Sequence, residues 1–137
     1  MSKFFGIALA VVALAIAIVP QFTDCQSQGR AIQTASGTTV PMKCHWTGIA
    51  ELVVAAPLLA VGIMTTLNRR KEAGKVLGVT GVILGLSSIL LPTYLIGVCA
   101  TPTMLCHTFM SPTLIIAGVV ISGLSLTGAV MSFKRKE

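Results

Sequence analysis

The sequence predicts an all-α, polytopic membrane protein: four transmembrane helices arranged as two parallel helix-hairpin repeats, with both termini in the cytoplasm. Three observations lead to this fold class. Of the 137 residues, 54% are hydrophobic and only 10% are charged, four long apolar runs follow one another, and a short motif occurs twice. Soluble domains carry roughly 25% charged residues. Four acidic and ten basic residues are too few to coat a water-exposed domain of this length, which excludes a large soluble catalytic domain.

Four apolar runs are long enough to cross a hydrocarbon core of about 30 Å. They cover residues 4–20, 47–67, 76–98 and 112–133, and Glu51 is the only acidic or basic residue within them. We expect helices, because lipid offers no partner to an unpaired backbone group and the runs lack the alternation of barrel strands. The first run also suits a cleaved signal peptide, but no clear small-x-small cleavage site precedes the polar segment.

The distribution of basic residues predicts the orientation. Eight of the ten lie near the N-terminus, in the second loop or in the C-terminal tail: Lys3, Arg69, Arg70, Lys71, Lys75, Lys134, Arg135 and Lys136. Because basic loops stay in the cytoplasm, we expect a multi-pass protein of the cell (plasma) membrane with outer loops at 22–46 and 99–111. The net charge of +6 is then a topology signal, so we expect contact with the lipid bilayer and no nucleic-acid partner.

A motif of sulfur and imidazole side chains occurs in both halves of the chain. Met42-Lys43-Cys44-His45 matches Met104-Leu105-Cys106-His107. In each half the motif follows an apolar run that has a glycine fourteen residues before a proline and ends near a cysteine. Such a repeat at equivalent positions indicates an internal duplication. We predict a first two-helix unit at 1–67 and a second at 68–137, related by an axis along the membrane normal.

All four cysteines, Cys25, Cys44, Cys99 and Cys106, fall in the predicted outer loops. Disulfides persist in such oxidising compartments, and four cysteines allow three pairings. The duplication favours Cys25 with Cys44 and Cys99 with Cys106, because each bridge would join the end of one helix to the start of the next.

A metal or haem site is the alternative use of the same residues. Thiolate, thioether and imidazole groups suit copper(I), zinc or haem iron, and two motif copies supply enough ligands for one shared site. The ligand candidates are Met42, His45, Met104 and His107, with His45 and His107 as a facing pair for a metal or a haem. Our first expectation is that the protein holds no cofactor, and haem or copper is the alternative. A histidine at a helix start is also often a hydrogen-bonded interfacial residue.

Glu51 is the strongest single functional candidate, because a charge within an uncharged span costs several kcal/mol unless it is paired, protonated or hydrated. The structural alternative is that its carboxylate reaches up to Lys43, Arg30 or the lipid headgroups. A small oligomeric channel gated at Glu51 is a third, weaker hypothesis.

The third run carries Gly74, Gly78, Gly81 and Gly85 at spacings that allow helices to approach closely. A bundle this thin is expected to associate with itself or with a larger membrane protein. No arrangement of nucleophile, base and orienting group is recognisable, and there is no phosphate-binding loop, so we expect no enzymatic activity.

With its two Cys-His segments and four spans, the chain resembles a family of small prokaryotic membrane proteins described only as a domain of unknown function. The most specific shared parts are Met42 to Trp46 and Met104 to His107. The resemblance implies a partnership with transporters of the ATP-binding-cassette type that have macrolide-exporter-like permeases. We therefore expect a non-catalytic accessory subunit of a membrane complex whose cysteine- and histidine-rich outer face binds a partner or ligand. The alternative is a redox, metal- or haem-handling membrane protein that uses Cys44, His45, Cys106 and His107.

Overall fold

A computed structural model describes residues 2–67 and 71–134 and shows a bundle of four helices. The helices are α1 (Ser2–Thr23), α2 (Lys43–Leu67), α3 (Lys71–Leu90) and α4 (Ser111–Lys134). Two π-helical turns add to them: Leu91–Leu95 extends α3, and Cys106–Met110 precedes α4. All four helical segments are long and apolar enough to cross a membrane. The prediction of a helical, multi-pass membrane protein is confirmed.

The observed helix ends differ from the predicted runs at the end of the bundle that carries the cysteines. Helix α1 continues to Thr23 and α2 already begins at Lys43, so the first outer loop is shorter than predicted. The predicted third run reaches residue 98, but the helical structure ends at Leu95. Gly97 has a φ of 79°, the left-handed conformation with which a glycine commonly terminates a helix. Hydropathy does not register this backbone reversal, because the residues around it are apolar.

The bundle consists of two closely packed helix pairs, α1 with α2 and α3 with α4. Glycines allow the close approach: a methyl group at Gly62 would lie 2.9 Å from the backbone nitrogen of Ala10 in α1. In the second pair, a methyl group at Gly118 would lie 2.8 Å from the carbonyl oxygen of Gly85. Within each pair the helices are antiparallel. The far end of α1 therefore lies beside the start of α2, and the far end of α3 beside the start of α4.

The interior of the bundle is made of apolar side chains from all four helices, while many large apolar side chains point outward. Buried residues include Leu9, Ile16, Leu58, Leu114 and Ile121. Outward-facing ones include Ile7, Val53, Val79 and Ile116. An apolar exterior of this kind is unfavourable in water and is expected where lipid surrounds the helices.

Basic residues lie mainly at the end of the bundle opposite the cysteines. Lys3, Lys75 and Lys134 are at that end, and the Nζ atom of Lys75 lies 2.9 Å from Glu72 Oε1. Arg69, Arg70, Arg135 and Lys136, which contributed to the predicted orientation, lie outside the described residues.

The long loop between α1 and α2, within the predicted outer loop at 22–46, forms a small β hairpin. Strand β1 (Ile32–Gln33) pairs antiparallel with β2 (Thr39–Val40), so that Ile32 faces Val40. Gly37 in the connecting turn has a φ of 79°, which favours glycine. The whole hairpin is exposed.

Candidate metal centre

Four different chain segments bring the four cysteines together at one end of the bundle. Cys25 follows the end of α1, and Cys44 lies in the first turn of α2. Cys99 lies in the segment after the first π-helical turn, and Cys106 begins the second. All four Sγ atoms lie within 4.8 Å of one another. Within the described ranges, 2–67 and 71–134, no other group of three or more histidine, cysteine or acidic side chains is close enough to share a metal ion.

Three short sulfur contacts cross between the two halves of the chain. Cys25 Sγ lies 3.4 Å from Cys106 Sγ, and Cys44 Sγ lies 3.3 Å from Cys99 Sγ. Cys25 also lies 3.5 Å from Cys99. The four thiols are free in this structure. The predicted bridges Cys25–Cys44 and Cys99–Cys106 therefore stay predictions, and each half places its thiols in direct contact with those of the other half.

Two methionines add thioether sulfurs to the group. Met104 Sδ lies 3.9 Å from Cys25 Sγ, and Met42 Sδ lies 3.9 Å from Cys99 Sγ. Each methionine thus contacts a cysteine of the opposite half. The Met-x-Cys part of both sequence motifs lies at the site, and six sulfur atoms line one small volume.

The thiols differ in how readily they ionise. Burial raises the pKa of the Cys25 thiol, and contacts with Cys44 and Cys106 raise it further. Burial also disfavours ionisation of Cys99, but hydrogen bonds from the thiols of Cys44, Cys25 and Cys106 outweigh that effect and lower its pKa. Cys99 is also the only one of the four that is partly exposed. A partly exposed thiol with a lowered pKa is the reactive member of such a group.

An aspartate–histidine pair joins the residue before Cys25 to the residue after Cys44. His45 Nδ1 lies 2.9 Å from Asp24 Oδ2, and the backbone N–H of Ser27 donates to Asp24 Oδ1 at 2.8 Å. Burial tends to raise the pKa of Asp24, but the hydrogen bonds from His45 and Ser27 lower it below its usual value. Asp24 is not among the site residues predicted from the sequence. The signal for it was present, because Asp24 directly precedes one cysteine and His45 directly follows another.

Neither histidine belongs to the four-sulfur group. His45 is held by Asp24, and His107 has an exposed side chain that makes no hydrogen bond within the described part of the chain. The prediction that His45 and His107 face each other as a pair of ligands stays untested by these contacts.

The family described as Domain of unknown function (DUF4418) matches residues 4–131. The chain belongs to this family. The resemblance inferred from the two Cys-His segments is thereby confirmed. No curated protein and no solved structure shows significant similarity to this DUF4418 member.

Deeper in the bundle of this DUF4418 protein, Glu51 is fully buried. It lies seven residues after Cys44 on α2, about 10 Å further along the helix. Its carboxylate points toward Ser88 of α3, and neither of its oxygens has a hydrogen-bond partner among residues 2–67 and 71–134. The side chain therefore does not reach up to Lys43 or Arg30. An isolated carboxyl group in this position is costly to keep charged.

The sulfur group fits a soft metal ion. Sulfurs placed about 2.3 Å from a tetrahedral zinc ion are about 3.8 Å from one another. In this protein the Sγ atoms of Cys44 and Cys99 are 3.3 Å apart, and all four Sγ atoms lie within 4.8 Å of one another. The sulfur–sulfur distance of a zinc site falls within this range. Thiolate and thioether ligands favour zinc and copper(I) over hard cations such as magnesium.

Proposed function

We propose that this protein binds one soft d¹⁰ metal ion, zinc(II) or copper(I), through the thiolates of Cys25, Cys44, Cys99 and Cys106. The observation that carries the proposal is the convergence of four cysteine sulfurs from four chain segments to within 4.8 Å. Buried free thiols rarely converge in this way without a metal or a disulfide to hold them. The metal-handling role was the alternative hypothesis from the sequence, and the contacts around the sulfurs favour it.

The chain's own residues account for the properties of such a site. Three of the cysteines are at most 2% exposed, so water is largely kept from the bound ion. Cys99 remains partly exposed and has a lowered pKa, so it is the thiol best suited to meet an incoming ion. Met42 and Met104 place their thioether sulfurs beside the thiols, where these sulfurs can serve as additional soft ligands. We propose a site that takes up and releases metal rather than one that is closed for structural purposes.

The metal proposal is tested with the purified full-length protein, reduced under anaerobic conditions and then supplied separately with zinc(II) or copper(I). We expect about one ion per chain, with a large loss of affinity in Cys25→Ser and Cys106→Ser. Ser36→Ala, an exposed change in the β hairpin, is the control and should bind normally. Mass spectrometry of protein purified without reductant reports disulfides. Two stable bridges, or a reduced protein that binds neither ion, would overturn the proposal.

We further propose that the two helix pairs are parallel repeats produced by duplication. The sulfur contacts support this, because they are equivalent in pairs: Cys25–Cys106 corresponds to Cys99–Cys44. In the same way, Cys25–Met104 corresponds to Cys99–Met42. A twofold axis through the sulfur group would relate these contacts.

We propose that the cysteine end faces the outside of the plasma membrane and that both termini are cytoplasmic. The positions of Lys3, Lys75 and Lys134 at the opposite end support this orientation. A membrane-impermeant maleimide applied to reduced, intact cells should label Cys99. Labelling only after permeabilisation would show that the orientation is reversed.

A role as a non-catalytic accessory subunit of a larger complex, such as an ABC-type exporter, is a second proposal. The exposed β hairpin favours it, because Ile32 and Val40, in the loop that joins Cys25 to Cys44, form an apolar cross-strand pair with 54% and 48% of their surfaces exposed. We expect a transporter permease to copurify in mild detergent and to be lost in Ile32→Asp but not in Ser36→Ala. Copurification that is equal in both variants would exclude the hairpin as the contact.

A further inference from the structure

The hydrogen bond between Asp24 and His45 ties together the two chain segments that carry Cys25 and Cys44. Asp24 is 5% exposed, and both of its carboxylate oxygens are in use, one with His45 Nδ1 and the other with the Ser27 backbone N–H. The Ser27 hydroxyl donates to the Asp24 carbonyl oxygen at 2.8 Å and holds the same turn. The carboxylate is therefore fixed in place before any ligand arrives.

This contact determines how the imidazole is presented. An ionised carboxylate only accepts hydrogen bonds, so Nδ1 of His45 is the donor and carries the proton. In the neutral ring the other nitrogen, Nε2, carries the lone pair. No protein group hydrogen-bonds Nε2 in the ranges that the structure describes, and the His45 side chain is 25% exposed. A histidine whose second nitrogen donates to a carboxylate is the usual form of a metal-binding histidine.

His45 is nevertheless outside the group of side chains that share the sulfur site. It directly follows Cys44 in the first turn of α2, and its hydrogen bond to Asp24 holds it beside the segment that carries Cys25. Four sulfurs already complete a tetrahedral coordination shell, and three of the thiols are buried. An ion that arrives from solution meets only one partly exposed thiol, Cys99, so a second ligand near the surface would hold it while the three buried thiols lose their protons.

We propose that His45 is that ligand: its Nε2 atom receives a soft metal ion from solution and passes it to the four thiolates, and Asp24 is the positioning residue for its ring. This inference rests on the proposed metal-binding function and adds an uptake path to it. In the transfer, the bond from the metal to Nε2 breaks as bonds to the sulfurs form, each thiol releases its proton to solvent, and no electrons are exchanged.

The second half of the chain provides a matched control. His107 follows Cys106 just as His45 follows Cys44, but Val98 stands before Cys99 where Asp24 stands before Cys25. The exposed His107 side chain has no carboxylate partner in the described part of the chain. Two histidines at equivalent positions thus differ in whether an aspartate orients them.

The test measures how fast the reduced full-length protein in detergent takes up zinc(II) in stopped-flow mixing, with a chromogenic zinc chelator as the donor. We expect His45→Gln to slow uptake about tenfold or more and Asp24→Asn to slow it by a smaller factor, as for partners of metal-bound histidines. His107→Gln should load at the wild-type rate. All three variants should still bind one ion at equilibrium.

Added imidazole separates uptake from a structural role. If Nε2 is the receiving ligand, free imidazole should restore much of the rate of zinc uptake that His45→Gln loses. If the ring only holds the end of α1 against α2, free imidazole should not restore that rate. A wild-type rate in His45→Gln, or equal slowing in His107→Gln, would overturn the inference while leaving the thiolate site intact. Failure of the wild-type protein to bind zinc(II) or copper(I) at equilibrium would overturn both.

Discussion

Replacing Gly62 with alanine should weaken the contact between α1 and α2. The added methyl carbon would lie 2.9 Å from the backbone nitrogen of Ala10, 3.0 Å from the carbonyl oxygen of Gly6 and 3.2 Å from the Ala10 Cα atom. Carbon atoms in contact are normally about 3.5–4.0 Å apart. All three neighbours are backbone atoms, so no side-chain rotation relieves the overlap, and the two helices must move apart by several tenths of an ångström.

The size of the effect follows from two opposing contributions. Overpacking of this kind costs about 1–3 kcal/mol, and the better helix propensity of alanine returns up to about 1 kcal/mol. We expect Gly62→Ala to lower the free energy of unfolding by about 1–2 kcal/mol. At Gly123 an added methyl group meets nothing within 4 Å, so Gly123→Ala should be neutral or stabilising by up to about 1 kcal/mol.

Both variants are compared by denaturant- or heat-induced unfolding in mild detergent, followed by circular dichroism. Metal stoichiometry should stay at the wild-type value in both, because Gly62 lies eighteen residues from Cys44 along α2, about 27 Å away. If Gly62→Ala proves as stable as Gly123→Ala, the helices do not approach as closely as the structure shows, and the reasoning is wrong.

Three further outcomes follow from the structure. Glu51→Leu should raise the free energy of unfolding by about 1–3 kcal/mol, because it removes a buried carboxyl group that has no hydrogen-bond partner in the described part of the chain. A destabilised Glu51→Leu would show that the carboxyl group does have a hydrogen-bond partner. Glu51→Gln should change the response to a partner or ligand more than it changes folding. Thr47→Val removes the hydrogen bond that Thr47 Oγ1 donates to the Gly97 carbonyl at 2.7 Å and should lower the free energy of unfolding by about 1 kcal/mol. The same unfolding experiment measures this change. An unchanged free energy of unfolding would show that this hydrogen bond does not stabilise the fold. Zinc affinity should rise with pH across neutrality, by roughly tenfold per pH unit for each proton released, because the raised pKa of Cys25 keeps that thiol protonated until metal displaces the proton. Chelator competition at several pH values measures this dependence. A flat profile would show that the thiols are not ligands.

Several features of the protein were accessible from the sequence because they depend on local composition. Long uncharged runs identify helices in lipid regardless of how those helices pack. The repeated Met-x-Cys-His motif indicated that sulfur atoms gather at the end of the bundle away from the termini, and the structure places Met42, Cys44, Met104 and Cys106 there. The small-residue spacing in the third run correctly indicated a close helix contact, which the structure locates between Gly85 and Gly118.

Other features depended on the orientation of each helix about its own axis. Apolar residues cover nearly all faces of these helices, so the sequence pattern does not show which face points inward. Whether Glu51 reaches the headgroups or points at Ser88 is decided by that rotation. The pairing of Asp24 with His45 joins residues 21 positions apart across an irregular loop, for which no periodicity exists.

By itself, the sequence determined that the chain forms four lipid-compatible helices and that its cysteines lie at one end of them, because both properties follow from the order of apolar and polar residues along the chain. Only the tertiary structure decided which sulfur atoms meet. Sulfur contacts of 3.3–3.5 Å join the two halves, since two antiparallel helix pairs pack side by side and bring the end of α1 against the segment that precedes α4. That packing brings four cysteines from separate chain segments into a single group of sulfur atoms.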